Sequence, residues 1–99
     1  MNKGQSLKIT RIIWLEDIVD KLLWKHHVEE DEVIEVLENS PRFQFKEPGH
    51  RPDEDVYAAF GRTNSNRLLS IFFVYTKDQR AIIVSARDMT IKERDKHAK

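Results

Sequence analysis

The sequence contains no cysteine. Disulfides and thiolate zinc sites are therefore excluded, and a reducing, cytoplasmic setting is the simplest expectation. Glycine and proline are scarce, three of each in 99 residues, which excludes collagen-like and Pro-rich chains. No apolar run approaches the roughly 18 residues of a membrane span. The first residues lack the apolar stretch of a signal peptide. No Walker loop, GxGxxG, HExxH, GxSxG or EF-hand pattern is present. Net charge is missing as well, because 17 basic side chains balance 17 acidic ones.

What remains is a chain of one-domain length, with 39% hydrophobic residues to build one core. A single domain over 1–99 is expected. The charge balance hides an uneven distribution. Residues 1–28 carry five positive and three negative groups, and residues 39–99 carry twelve positive and eight negative. Residues 29–38 carry six negative groups and none positive. One acidic segment thus masks a basic remainder, which bears on partners rather than on fold.

Hydrophobic spacing sets the elements. Residues 1–6 are polar and expected to fray. Residues 7–14 (LKITRIIW) read as a first strand. In residues 15–26, Leu15, Ile18, Val19, Leu22, Leu23 and His26 fall on one helical face, with Trp24 opposite. Residues 29–38 form a short helix with an acidic first turn, stopped by Asn39-Ser40-Pro41. From residue 42 the period changes to that of strands: 42–46, 55–62, 68–75 and 80–86, with a loop at 47–52 and turns at 63–66 and 77–79. The segment 68–75 is apolar on both faces and belongs at the centre of the sheet. Thr90 and Glu93 fit a capping box that opens a last helix, which has only Ile91 and Ala98 as apolar residues. The order β-α-α-β-β-β-β-α predicts an α+β domain, helices covering one face of a small, mostly antiparallel sheet.

The chemistry-bearing residues fall at element ends. Lys25 and His26 close the first helix, while Arg62 and Arg87 end two strands that flank the central one. Guanidinium groups hold phosphate through two parallel hydrogen bonds, and Arg87 precedes a helix start with free amides. Solvated strand-end charges and a core histidine are the plainer readings of the same residues. The four histidines, His26, His27, His50 and His97, show no metal-ligand spacing, so no metal and no cofactor are expected.

From Trp14 onward an ordered set of pieces stands out. Trp14 is followed eleven residues later by Lys25-His26. Next come the acidic helix with Val33 and Leu37, the strand Tyr57 to Gly61-Arg62, and Arg67-Leu68-Leu69 opening the apolar strand. The last piece is Ser85-Ala86-Arg87 with Thr90 and Glu93-Arg94. In these pieces and their order the chain resembles the BrnT family of bacterial toxins, compact relatives of the RelE-type ribonucleases. Leu15, Ile18, Leu22 and His27 depart from the family pattern, where Asp, Lys, Asn and Gly are usual. A tyrosine common near the end of the last helix is absent too.

The resemblance implies a RelE-like fold and a ribonuclease toxin of a type II toxin–antitoxin system that inhibits translation. It implies a ribbon-helix-helix antitoxin of the BrnA kind as partner, in a heterotetramer, and RNA as substrate. Metal-free RNA cleavage needs a base, an acid and cationic clamps around the phosphorane. Arg62 and Arg87 suit the clamps and His26 the proton transfer. Lys25 and Arg94 suit flanking phosphates, and Tyr57 and Trp24 suit base stacking. Glu93 is a second candidate base, though capping is its stronger role. The competing reading is a non-catalytic protein- or nucleic-acid-binding module, a decayed toxin whose basic edge receives a partner.

Overall fold

The computed structural model describes residues 7–98. The elements run β1 (Arg11–Ile13), α1 (Glu16–His26), α2 (Glu30–Glu38), β2 (Arg42–Pro48), β3 (Asp55–Arg62), β4 (Leu68–Tyr75), β5 (Arg80–Asp88) and α3 (Ile91–His97). They form one five-stranded sheet in the order β1-β5-β4-β3-β2. Strand β4 is central, as its two-sided apolar content requires. Strands β2 to β5 pair antiparallel in sequence order, and β1 joins the far edge parallel to β5. The result is the expected α+β architecture.

The boundaries differ from the sequence reading in three places. Strand β1 is three residues long because it pairs only with Arg80–Ile82, and β5 begins at Arg80. Residues 7–9 therefore have no strand beside them, although Leu7 and Ile9 still pack on the core. The expected fraying of 1–6 lies outside the described residues. Strand β2 continues past a register shift at Phe45/Glu47 to Pro48, where an edge position tolerates the missing amide. Strand β5 continues to Asp88, so Arg87 sits inside the strand opposite Ser70 and not at its end.

The helices divide between the two faces of the sheet, which corrects the one-face expectation. Leu22 of α1 and Val33 and Val36 of α2 pack with Val28 on Tyr57, Ala59, Leu69, Ile71, Phe73 and Ile83. The approach of α2 requires Gly61, since a Cβ there would meet Val36 Cγ1 and Pro41 Cβ at 3.1 Å. The alternate residues of β3 and β4 point the other way. There Ala58 and Phe60 form a smaller cluster with Met89, Leu68 and Phe72, on the side of α3.

Local chemistry sets the helix ends. Helix α1 stops because His27 turns left-handed, with φ 55° and ψ 40°, and Val28 N–H donates back to the Leu22 carbonyl. Helix α2 begins where the Glu29 amide donates to the Glu32 carboxylate at 3.0 Å. Arg67 ties these ends together. Its guanidinium donates to the His26 and His27 carbonyls (3.1 and 2.7 Å), to Glu32 (3.0 Å) and to Asp88 (2.9 Å).

Candidate functional site

The register of the strands builds the site. Arg42 pairs with Phe60, Phe60 with Ser70, and Ser70 with Arg87. Paired residues share a face, so these four form one row across the sheet on the α3 side. At a strand spacing near 4.8 Å, the two arginine Cα atoms at the ends of the row stand about 14 Å apart. Arg62 lies two residues beyond Phe60 on β3 and therefore points to the same face. The sheet thus gathers three arginines on one surface.

Helix α3 crosses the middle of this row. Thr90 caps it: the Glu93 amide donates to Thr90 Oγ1 (3.2 Å), and the Thr90 amide donates to Glu93 Oε1 (2.9 Å). One turn apart, Glu93 and His97 are its inward residues. Glu93 accepts from Ser70 Oγ at 2.8 Å and takes both arms of Arg87, at 2.8 and 3.1 Å. His97 stacks on Phe60 with ring centroids 3.9 Å apart and planes 3° from parallel. The Ala98 carbonyl accepts from Arg62 Nη2 at 2.8 Å. Ile91, one of the two apolar residues noted on this helix, is 76% exposed. The helix therefore docks mainly through polar groups and one stacked ring.

These contacts shift the titrating groups. The Arg87 hydrogen bond, helped by the Thr90 amide and Ser70, holds the Glu93 carboxyl down at about 2. At neutral pH Glu93 is a firmly ionised capping group and a poor base. Arg87 is correspondingly fixed, its guanidinium on Glu93 and 5.1 Å from the Phe72 ring centroid. Two of the amides opening α3, those of Thr90 and Glu93, are taken up by the capping box and are not free for a phosphate. Hydrogen bonding to Arg67 lowers the Asp88 carboxyl, and Arg94 and His26 act the same way by charge.

The other sequence-selected residues separate into groups. The charges of Arg94 and His26 are near enough to Asp88, the residue after Arg87, to lower its carboxyl, and His26 is half-buried at the end of α1. Lys25 is exposed beside it. Tyr57 does not join them. It is 9% exposed, on the α1–α2 side of the sheet, and packs against Phe45, Phe73 and Tyr75. Its ring is core and cannot stack a base, because alternation along β3 turns it away from Arg62. Trp24 is 72% exposed on α1. Among the described residues, no group of three His, Asp or Glu side chains gathers as metal ligands.

A family model described as the ribonuclease toxin BrnT of type II toxin–antitoxin systems matches residues 14–93. The chain belongs to this family. It is a BrnT ribonuclease toxin, with an antitoxin as the partner such a system implies. The 1.1 Å crystal structure of the Brucella abortus ribonuclease toxin BrnT aligns with a TM-score of 0.60 at 20% identity. The alignment covers 81% of this chain and 96% of that one, and it is a likeness of fold. No curated protein matches the sequence.

Two of this BrnT chain's departures from the family pattern are explained by packing. Leu22 is buried and Ile18 half-buried against the core, so apolar side chains suit those places. Sequence reasoning missed Arg42 and His97 as members of the arginine face. Arg42 opens an edge strand and carries no motif. His97 lies beyond the matched segment, and its inward position follows only from counting one turn on from Glu93.

Proposed function

We propose that this toxin cuts RNA without a metal, on the sheet face that carries Arg62 and Arg87. The supporting observation is the row Arg42–Phe60–Ser70–Arg87 with Arg62 beside it, which concentrates cationic forks on one surface. A base takes the proton of a ribose 2′-hydroxyl, the 2′-oxygen bonds to the adjacent phosphorus, and the bond to the 5′-oxygen breaks. The leaving oxygen takes up a proton, giving a cyclic phosphate and a 5′-hydroxyl. Arg62 faces the phosphorane directly, and Arg87 joins it by exchanging Glu93 for the phosphate. His26 is the proton-transfer candidate near the Asp88 end, with Lys25 and Arg94 on flanking phosphates. The partner is a ribbon-helix-helix antitoxin in a heterotetramer, and the setting is the cytoplasm.

The test is induction of the chain alone in a bacterial host, following growth and total RNA. Wild type arrests growth and degrades RNA. Arg87→Ala, at matched soluble level, abolishes both. Arg87→Lys keeps the charge beside Glu93 but loses the fork, and cleavage falls roughly 10–100-fold. Undiminished RNA loss with a folded Arg87→Ala protein would remove Arg87 from the clamp. Normal growth with intact RNA, despite folded wild-type protein, would favour the binding-module reading.

A further inference from the structure

A cleft of about 580 Å³ opens where β2, β3 and the end of α3 meet. Arg42, Arg62 and His97 line it, together with Phe60, Asn64 and Asn66 among others. No carboxylate is among its lining residues. Arg87, at the other end of the row, has its fork closed on Glu93. Among the described residues Arg42 has no ion pair, and Arg62 gives one arm to the Ala98 carbonyl and has no carboxylate partner. The two ends of the row thus differ: one is neutralised by Glu93, and the other meets no carboxylate among the described residues.

His97 forms the floor of the difference. Its ring is held flat on Phe60, and Nδ1 is buried with no hydrogen-bond partner among the described residues. Burial holds its pKa below the ordinary value. Lys96 on its own helix, and Arg42 and Lys46 on β2, push the same way, while Glu93 alone opposes them. Arg62 on β3 adds a further positive neighbour in the cleft. Burial first and these cations second hold the imidazole towards its neutral form, and an incoming anion would oppose the second of these causes.

We infer that this cleft is a phosphate subsite: it takes the phosphodiester flanking the scissile one, held by Arg42 and a protonated His97, with Arg62 standing between the two phosphates. The inference rests on the ribonuclease reading and adds to it a place for the strand beyond Arg87. The lining supports phosphate chemistry, with the Arg42 fork, the remaining arm of Arg62, side-chain amides and hydroxyls, and no acid among the described residues. Its position supports a strand rather than a lone ion. The row sets the Cα atoms of Arg42 and Arg87 about 14 Å apart, a span of more than one phosphate step along a nucleic-acid strand. Binding and protonation are linked. The bound phosphate offsets Arg42 and Lys46 and favours protonated His97, so protonated His97 in turn tightens the phosphate.

The experiment is NMR of the His97 ring in the full chain, titrated between pH 5 and 8. The probes are sulfate, whose charge is constant there, and an RNA dinucleotide made uncleavable by a 2′-O-methyl group. The dinucleotide is expected to move the His97 resonances and raise its titration midpoint by about one pH unit. Its affinity then rises roughly tenfold from pH 8 to pH 5. Arg42→Ala weakens binding several-fold and lowers the salt dependence by about one counterion. His97→Gln keeps a flat polar group on Phe60 but removes the pH dependence. Response to sulfate as strong as to the dinucleotide would make the cleft a general anion site and overturn the strand assignment. His97 resonances unmoved at saturating dinucleotide would overturn the subsite. RNA still cut under those conditions would leave the ribonuclease reading standing. A responsive cleft on a chain that cuts no RNA would leave the subsite standing and remove that reading.

Discussion

His27 shows how one side chain carries a cost set by backbone geometry. It holds φ 55°, a region that costs a residue with a Cβ about 1–2 kcal/mol. Its backbone is what the fold uses: the carbonyl accepts from Arg67 at 2.7 Å. His27→Gly keeps that carbonyl and relieves the strain. We expect urea unfolding to show a stability gain of about 1 kcal/mol, with RNA cleavage unchanged. A loss of stability would mean that the imidazole, and not the turn, matters there. Residue identity also decided what could be read in advance. The capping box at Thr90 and Glu93 was legible because its two hydrogen bonds are local. The Arg87–Glu93 pair was not, because it needs the strand to run on to Asp88.

Arg67 plays its part between elements. It sits at the start of β4 yet holds the ends of α1, α2 and β5 through one guanidinium. Arg67→Ala would strip two carbonyls and two carboxylates of their partner at once. We expect a loss of about 2 kcal/mol, read as a lowered midpoint in urea. Arg67→Lys should recover less than half, since one ammonium cannot span four acceptors. A full recovery would reduce the hub to a simple charge effect. Elements were the most legible scale of the sequence. The limits of β3 and β4 are as periodicity set them, because both faces of those strands are packed. The limits of β1 and β2 shifted because edge strands are defined by whatever lies beside them. The placement of α3 was hidden because a helix that docks through Glu93 and His97 leaves no apolar stripe to read.

The whole molecule has an acid response that follows from the site. The Glu93 carboxyl sits at about 2 in the fold against an ordinary 4.5, and Asp88 is also lowered. A carboxyl lowered by folding gives stability that is complete above its unfolded value and is lost as pH falls towards the folded one. The Glu93 contribution therefore disappears between about pH 4.5 and about 2. His97, also lowered, removes stability earlier, as pH falls below its ordinary 6.5, because the unfolded chain takes the proton first. A Tm-against-pH profile should descend in two stages. Glu93→Gln should flatten the lower stage and His97→Gln the upper. An unchanged lower stage in Glu93→Gln would mean that the Arg87 pair adds little to folding.

The parallel seam at the edge of the sheet has a bearing on how the chain is made. Thr10 donates to the carbonyl of Gln79 at 2.8 Å, across 69 residues of chain. Every other strand pair in the sheet joins neighbours in sequence. The meander can zip hairpin by hairpin as it leaves the ribosome, whereas the earliest strand synthesised must wait for the latest. Long-range closure of this kind is slow, since the loop entropy is spent before the contact forms. Until β1 pairs, the Arg80–Ile82 edge of β5 has no strand beside it.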